Sequence, residues 1–153
     1  MMRPRHFKNL LLSCLTTAAL VGTTAMSSAA ADYLSVTKDG VNLRSGPDTK
    51  YEVIYQLPQN YPLKVLSKKG KWIKIEDYEG DKGWIYETLV RPSSHVIVKV
   101  KEANVRSGPG TKETKVGTVA KDVILRVEQR QGKWVKVSHP QIKGWIFANL
   151  VWP

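Results

Sequence analysis

The sequence predicts an all-β protein: two tandem small β-barrels behind an N-terminal export signal. Three observations predict it. First, the mature part is written twice. VNLRSGP at Val41–Pro47 returns as ANVRSGP at Ala103–Pro109, and GKWIKI at Gly70–Ile75 returns as GKWVKV at Gly132–Val137, both 62 residues later. KGWIY at Lys82–Tyr86 returns as KGWIF at Lys143–Phe147 after 61 residues, so one residue is lost in a loop. Second, each copy consists of short alternating runs broken by turn residues, the pattern of a small barrel or sandwich. Third, no stretch of the mature chain sustains a 3.6-residue period, so essentially no helix is expected.

The elements follow in order. Residues 1–31 form the signal: Arg3, Arg5 and Lys8 precede an apolar run from Leu10 to about Val21, and Ala29-Ala30-Ala31 offers a small-residue cleavage site before Asp32. The run falls short of the roughly 20 apolar residues of a membrane span. An uncleaved anchor is the alternative reading, and Leu11-Leu12-Ser13-Cys14 only faintly resembles a lipoprotein signal. Residues 32–90 form the first domain, with strands expected at Val41–Arg44, Val53–Leu57, Leu63–Lys68, Trp72–Glu76, Gly83–Tyr86 and Leu89–Val90. Ser45-Gly46-Pro47 ends the first run in a turn, because glycine tolerates positive φ and proline fixes its own. Lys69-Gly70-Lys71 and Glu79-Gly80-Asp81 are of hairpin length. Residues 91–97 are expected to be a short linker, opened by Arg91-Pro92-Ser93-Ser94, and 98–153 the second domain.

Composition limits the chemistry. Cys14 is the only cysteine and would leave with the signal, so no disulfide, thiol nucleophile or thiolate ligand is expected. His95 and His139 recur in neither copy, and no paired spacing for zinc exists. Glu76, Asp77, Glu79 and Asp81 flank a turn and read as a solvated loop, not a general acid/base pair. No catalytic residue, no metal and no cofactor is therefore expected. Charge is uneven: residues 32–90 hold nine Lys+Arg against nine Asp+Glu, whereas 91–153 hold twelve against four, a net of +8. Lys112, Lys115, Lys121, Arg126, Arg130 and Lys133 suit attraction to an anionic polymer, felt over a Debye length of about 8 Å. Export and the lack of a dedicated motif argue against nucleic acid.

The aromatics sort by alternation. In Lys71–Ile75, Ile73 and Ile75 share one face, leaving Trp72 with Lys74 on the other. Trp134 beside Lys136 repeats this. Each indole either covers a barrel edge or forms a stacking platform for a sugar ring or peptide. Trp84 and Trp145 read as scaffold, and Arg44 and Arg106 as braces for local turns. Tyr51, Tyr55, Tyr61 and Tyr78 align with Glu113, Gly117, Val123 and Pro140, so these tyrosines read as a ligand groove that belongs to the first copy alone. Replacing Tyr51 and Tyr78 with Ala is expected to abolish binding.

The N-[LV]-R-S-G-P, G-x-W-[IV]-K-[IV] and G-W-[IV] motifs, in this order and twice over, resemble the bacterial SH3-like (SH3b) domain, from about residue 36 to 90 and again from about 98 to 152. The resemblance implies a five- to seven-stranded SH3-like barrel and a cell-envelope setting, in the periplasm or at the cell wall outside the cell. It implies a binding module for peptidoglycan or another anionic envelope polymer. The alternative is an adaptor that recognises an extended peptide of an envelope protein, or regulates a cell-wall hydrolase. The expected ligand-binding residues are Tyr51, Tyr55, Trp72, Tyr78, Trp134, Arg126 and Arg130.

Overall fold

The computed structural model describes residues 32–153; the export signal read at 1–31, with Cys14, lies outside the described residues. The first domain comprises β1 (Tyr33–Val36), β2 (Val41–Arg44), β3 (Val53–Leu57), β4 (Pro62–Lys69), β5 (Trp72–Glu76), β6 (Lys82–Tyr86), a 3₁₀ turn (Glu87–Leu89) and β7 (Val90–Pro92). The second repeats it: β8 (His95–Val98), β9 (Glu102–Arg106), β10 (Lys115–Ala120), β11 (Ile124–Gln131), β12 (Trp134–His139), β13 (Ile142–Phe147), a 3₁₀ turn (Ala148–Leu150) and β14 (Val151–Trp152). Each domain is one seven-stranded sheet, ordered β3-β2-β6-β5-β4-β1-β7 and β10-β9-β13-β12-β11-β8-β14.

Alternation builds these sheets as expected. Along β5 the exposure pattern puts Ile73 and Ile75 inside and Trp72 and Lys74 outside. Val36, Leu43, Leu63, Ile75 and Ile85 are wholly inaccessible, although no second layer packs on the sheet. A single sheet can bury one face so completely only by curling around it, as a small barrel does. The curl is helped by irregular register between Val65 and Ser67, repeated between Val127 and Gln129. An extra residue at such a point bends the strand and increases its twist. Gly70 closes the β4–β5 hairpin at φ +58°, and Gly132 does the same at +54° in the second domain. This left-handed backbone strains any residue with a Cβ.

Two expectations need correction. The stretch read as a linker, 91–97, is largely strand: Arg91 and Pro92 belong to β7, which pairs with β1, and His95 opens β8. Only Ser93 and Ser94 separate the sheets. Strand β1 was not anticipated, because Ser35 breaks its apolar pattern. Ser35 is nevertheless fully buried, its hydroxyl 2.7 Å from that of Ser93.

The domains also touch away from the chain crossing. Tyr33 meets Trp152 edge to face at 5.4 Å. The Tyr78 hydroxyl donates to Asp122, and Lys121 reaches Glu79 at 3.0 Å.

Candidate binding groove

Trp72 on β5 and Tyr86 on β6 are direct cross-strand partners, and both point outward because Ile73 and Ile85 fill the core. Their rings meet edge to face, with centroids 5.3 Å apart at 75°. This geometry favours contact between the positive edge of one ring and the negative face of the other. The pair forms one wall of a groove of about 540 Å³. The opposite side is polar, with Lys38, Asn42, Arg44, Asp48 and Thr49.

The N-L-R-S-G-P segment shapes that polar side. Arg44 Nη1 donates to the carbonyls of Thr49 and Tyr51, at 2.9 and 2.8 Å, which braces the turn after β2 as the sequence suggested. Among the described residues only Nη1 finds a protein acceptor, so the rest of the guanidinium remains available at the groove. Asp48 Oδ1 accepts the Lys50 N–H at 3.0 Å, and this bond holds the carboxyl below the usual range. The groove thus combines an apolar ring wall with a cation, an ionised carboxylate, an amide and hydroxyls. Such a surface suits a polar chain with flat apolar faces, a sugar or a peptide.

The second domain has the same groove in reduced form. Trp134 and Phe147 meet at 5.5 Å and 71°, beside Asn104, Arg106 and Thr111, around about 190 Å³. Arg106 repeats the brace, Nη1 donating to the Glu113 carbonyl at 2.9 Å. At the positions of Asp48 and Lys38 this domain has Gly110 and Val100, and Phe147 lacks the hydroxyl of Tyr86.

The structure separates the other anticipated site residues. Tyr51 is 41% exposed with its ring packed on Gly46, and Tyr55 is 46% exposed with its hydroxyl donating to Asp81 at 3.0 Å. Tyr61 packs against the core. Tyr78 faces the second domain, with the Lys121 ammonium 5.7 Å from its ring centroid. Tyr55, Tyr61 and Tyr78 thus gather around the acidic turn at Asp77–Asp81, and Tyr51 stands on the turn after β2. Arg126 lines a cleft between the domains, and Arg130 turns to the Pro153 carbonyl at 2.9 Å.

The acidic turn is less solvated than expected. Asp77 is only 7% exposed and accepts the Glu79 and Asp81 N–H groups at 3.0 and 2.9 Å, while burial pushes its carboxyl up. Glu76 lies within ion-pair reach of Lys64 and Lys82, and Glu79 of Lys121. Among the described residues no three of His, Cys, Asp or Glu are placed to hold a metal ion. No helix among them is long and apolar enough to cross a membrane. Sequence reasoning missed Tyr86, although alternation along β6 and its register with β5 place it opposite Trp72.

Comparison with known proteins agrees with this architecture. The family described as Bacterial SH3 domain matches residues 39–91 and again 99–153. YrvJ of Bacillus subtilis, named as an N-acetylmuramoyl-L-alanine amidase, is 26% identical over 93% of this chain and 30% of its own length. LytH of Staphylococcus aureus, named as a cell wall amidase, is 42% identical over 31% of this chain and 16% of its own. The chain thus spans less than a third of the curated relatives it matches. Among solved structures, NlpC1 from Trichomonas vaginalis is 17% identical over 94% of this chain and 51% of that one, with a TM-score of 0.36. A superposition that loose carries nothing about arrangement or function. The two matches, one within each sheet, establish that the chain belongs to the bacterial SH3 domain family, in two consecutive copies.

Proposed function

We propose that the protein is an exported, non-catalytic, cell-wall-associated binding module that holds peptidoglycan in the Trp72–Tyr86 groove of its first domain. One observation carries the reading: the groove is wide and charged in the first domain, and narrowed and stripped of Asp48 and Lys38 equivalents in the second. Divergence at a duplicated position, where the fold requires nothing, fits specialisation for a ligand. The bacterial SH3 matches and the two relatives named as amidases, one of them a cell wall amidase, support the setting. Peptidoglycan offers both halves of the required chemistry, sugar rings for the aromatic wall and charged peptide stems for Arg44 and Asp48. The net +8 of residues 91–153 adds long-range attraction to an anionic wall.

Co-sedimentation with washed sacculi tests the reading. Binding without any partner protein, partly retained at high salt, is expected, because stacking and short hydrogen bonds are screened less than distant charges. Failure to co-sediment at low salt contradicts it.

A second reading is favoured by a separate feature. Strand β3 is a sheet edge, and Val53, Ile54 and Tyr55 on it are exposed by 44, 39 and 46%. An open apolar edge can accept an extended segment of an envelope protein as an added strand. Capture of a single envelope protein, lost on replacing Ile54 with Lys, with no sacculus binding, would select this adaptor reading.

A further inference from the structure

We propose that the cleft between the two domains is a binding site for an oxyanion, the carboxylate or phosphate group of an acidic ligand. It is separate from the Trp72 groove. The cleft measures about 510 Å³ and takes Gln59 and Asn60 from the first domain, His95 from the junction, and Arg126, Ser138 and His139 from the second. Neither domain offers it alone.

Its lining is cationic. No aspartate or glutamate lines it, and Glu128, which borders it at Ser138, is paired with Lys143 at 3.2 Å. Arg126 is exposed and, among the described residues, has no ion-pair or hydrogen-bond partner. Arg91 adds a second guanidinium, with Nη2 donating to Asn60 Oδ1 at 2.7 Å. The charged groups acting on His95 are Arg91 and Arg126, which together with burial, the larger cause, hold its imidazole below the usual value. Cations gathered without a counter-ion repel one another, and a bound anion relieves that repulsion.

Duplication shows that this charge is not incidental. Lys64 and Glu76 face each other across β4 and β5, 3.9 Å apart, as a cross-strand pair. The same register position in the second domain pairs Arg126 with Ser138. The cation is kept, changed to the residue best shaped for a planar oxyanion, and its carboxylate partner is gone. The next position repeats the change, His139 standing where the first domain has Asp77. Where the first domain has two carboxylates, the second has a hydroxyl and an imidazole, both within the cleft lining. Arg126 with His139 and the Asn60 amide then provides charge-assisted and neutral donors to a single oxyanion.

The ring resonances of His95 and His139, followed by NMR in the intact protein, test the site with two probes, inorganic phosphate and N-acetyl-D-alanine. Saturable shifts of both rings are expected, with the imidazole pKa of His95 raised on binding. Shifts with phosphate alone assign a phosphate-bearing ligand, and shifts with the carboxylate alone a carboxylate-bearing one; either outcome upholds the site. Arg126→Gln, at an exposed position that the fold does not need, should weaken binding roughly 10-fold, the scale of a lost charge-assisted hydrogen bond. Ser138→Glu, which restores the first domain's pairing, should weaken it as much by supplying an internal counter-ion. Lys99→Ala, outside the lining, should change it less than about twofold, the effect of net charge alone. Absence of ring shifts with both probes, up to about 100 mM of each, overturns the proposal, since weaker binding falls outside any specific site. Equal losses in Arg126→Gln and Lys99→Ala overturn it too, because they indicate diffuse attraction.

Discussion

Leu43, Leu57, Ile73 and Ile75 fill the first core where Val105, Val119, Val135 and Val137 fill the second, and Val41 gives way to Ala103. At about 0.8 kcal/mol per buried methylene, those replacements alone favour the first core by several kcal/mol. The second domain compensates in part by burying Trp145 to 8% exposure, while its counterpart Trp84 stays half-exposed, and by burying Val96 completely. Both chains of strands nevertheless reach the same order and the same bulge positions. The fold thus accepts a lighter core and a rebuilt surface, so divergence between the copies reports on ligands more than on folding. The two grooves and the two β-strand ends at Glu76 and Ser138 are among the places where the copies differ.

The cores give the largest effects. Ile75→Ala should cost about 4 kcal/mol and Val137→Ala about 2 kcal/mol, because the former empties more volume at a site with no access to solvent. Denaturant unfolding of each variant measures this, and equal losses would erase the distinction between the cores. Next come the close-packed glycines of β6 and β13. A Cβ on Gly144 would sit 2.5 Å from the Arg106 carbonyl oxygen, backbone that cannot step aside, whereas one on Gly83 first meets the Leu43 side chain at 2.6 Å. Gly144→Ala should therefore cost about 3 kcal/mol and Gly83→Ala about 1–2 kcal/mol, as overpacking typically does, with the order read from melting temperatures.

The smallest effect is on pH dependence at the turn where Asp77 and His139 correspond. Burial raises the folded-state pKa of Asp77 above the ordinary 3.8, so the folded protein binds the proton more tightly than the unfolded chain. In the window just above 3.8 this contribution to stability therefore falls as pH rises. Asp77→Asn keeps an acceptor for the Glu79 and Asp81 N–H groups and removes the titration. Its melting temperature should exceed that of the parent near neutral pH, with the advantage shrinking as acid approaches that window. A constant difference at all pH values would assign the effect to the turn instead.

The repeat, the strand alternation and the turn glycines made the fold legible, because each is a local rule with a local signature. Strand β1 was hidden because Ser35 is buried through a hydrogen bond to Ser93, a partner 58 positions away. The same limit applies to the site. Trp72 could be placed on the outer face because the lysine beside it reveals which face is outward. Tyr86 follows only from the β5–β6 register, and Asp48 from the turn that Arg44 holds. Tyr78 looked like a ligand residue because the second copy lacks it. Its partner, Asp122, lies in the other domain, and no comparison of aligned positions reveals a contact between copies.

Sacculus binding by Trp72→Ala and Trp134→Ala, measured side by side on folded protein, tests the central claim that the first groove does the work. Each substitution removes the same indole from the same barrel position. The account predicts that Trp72→Ala weakens binding at least about 10-fold, as loss of an aromatic anchor does, while Trp134→Ala changes it less than about threefold. Equal losses, or a larger loss for Trp134→Ala, would contradict it.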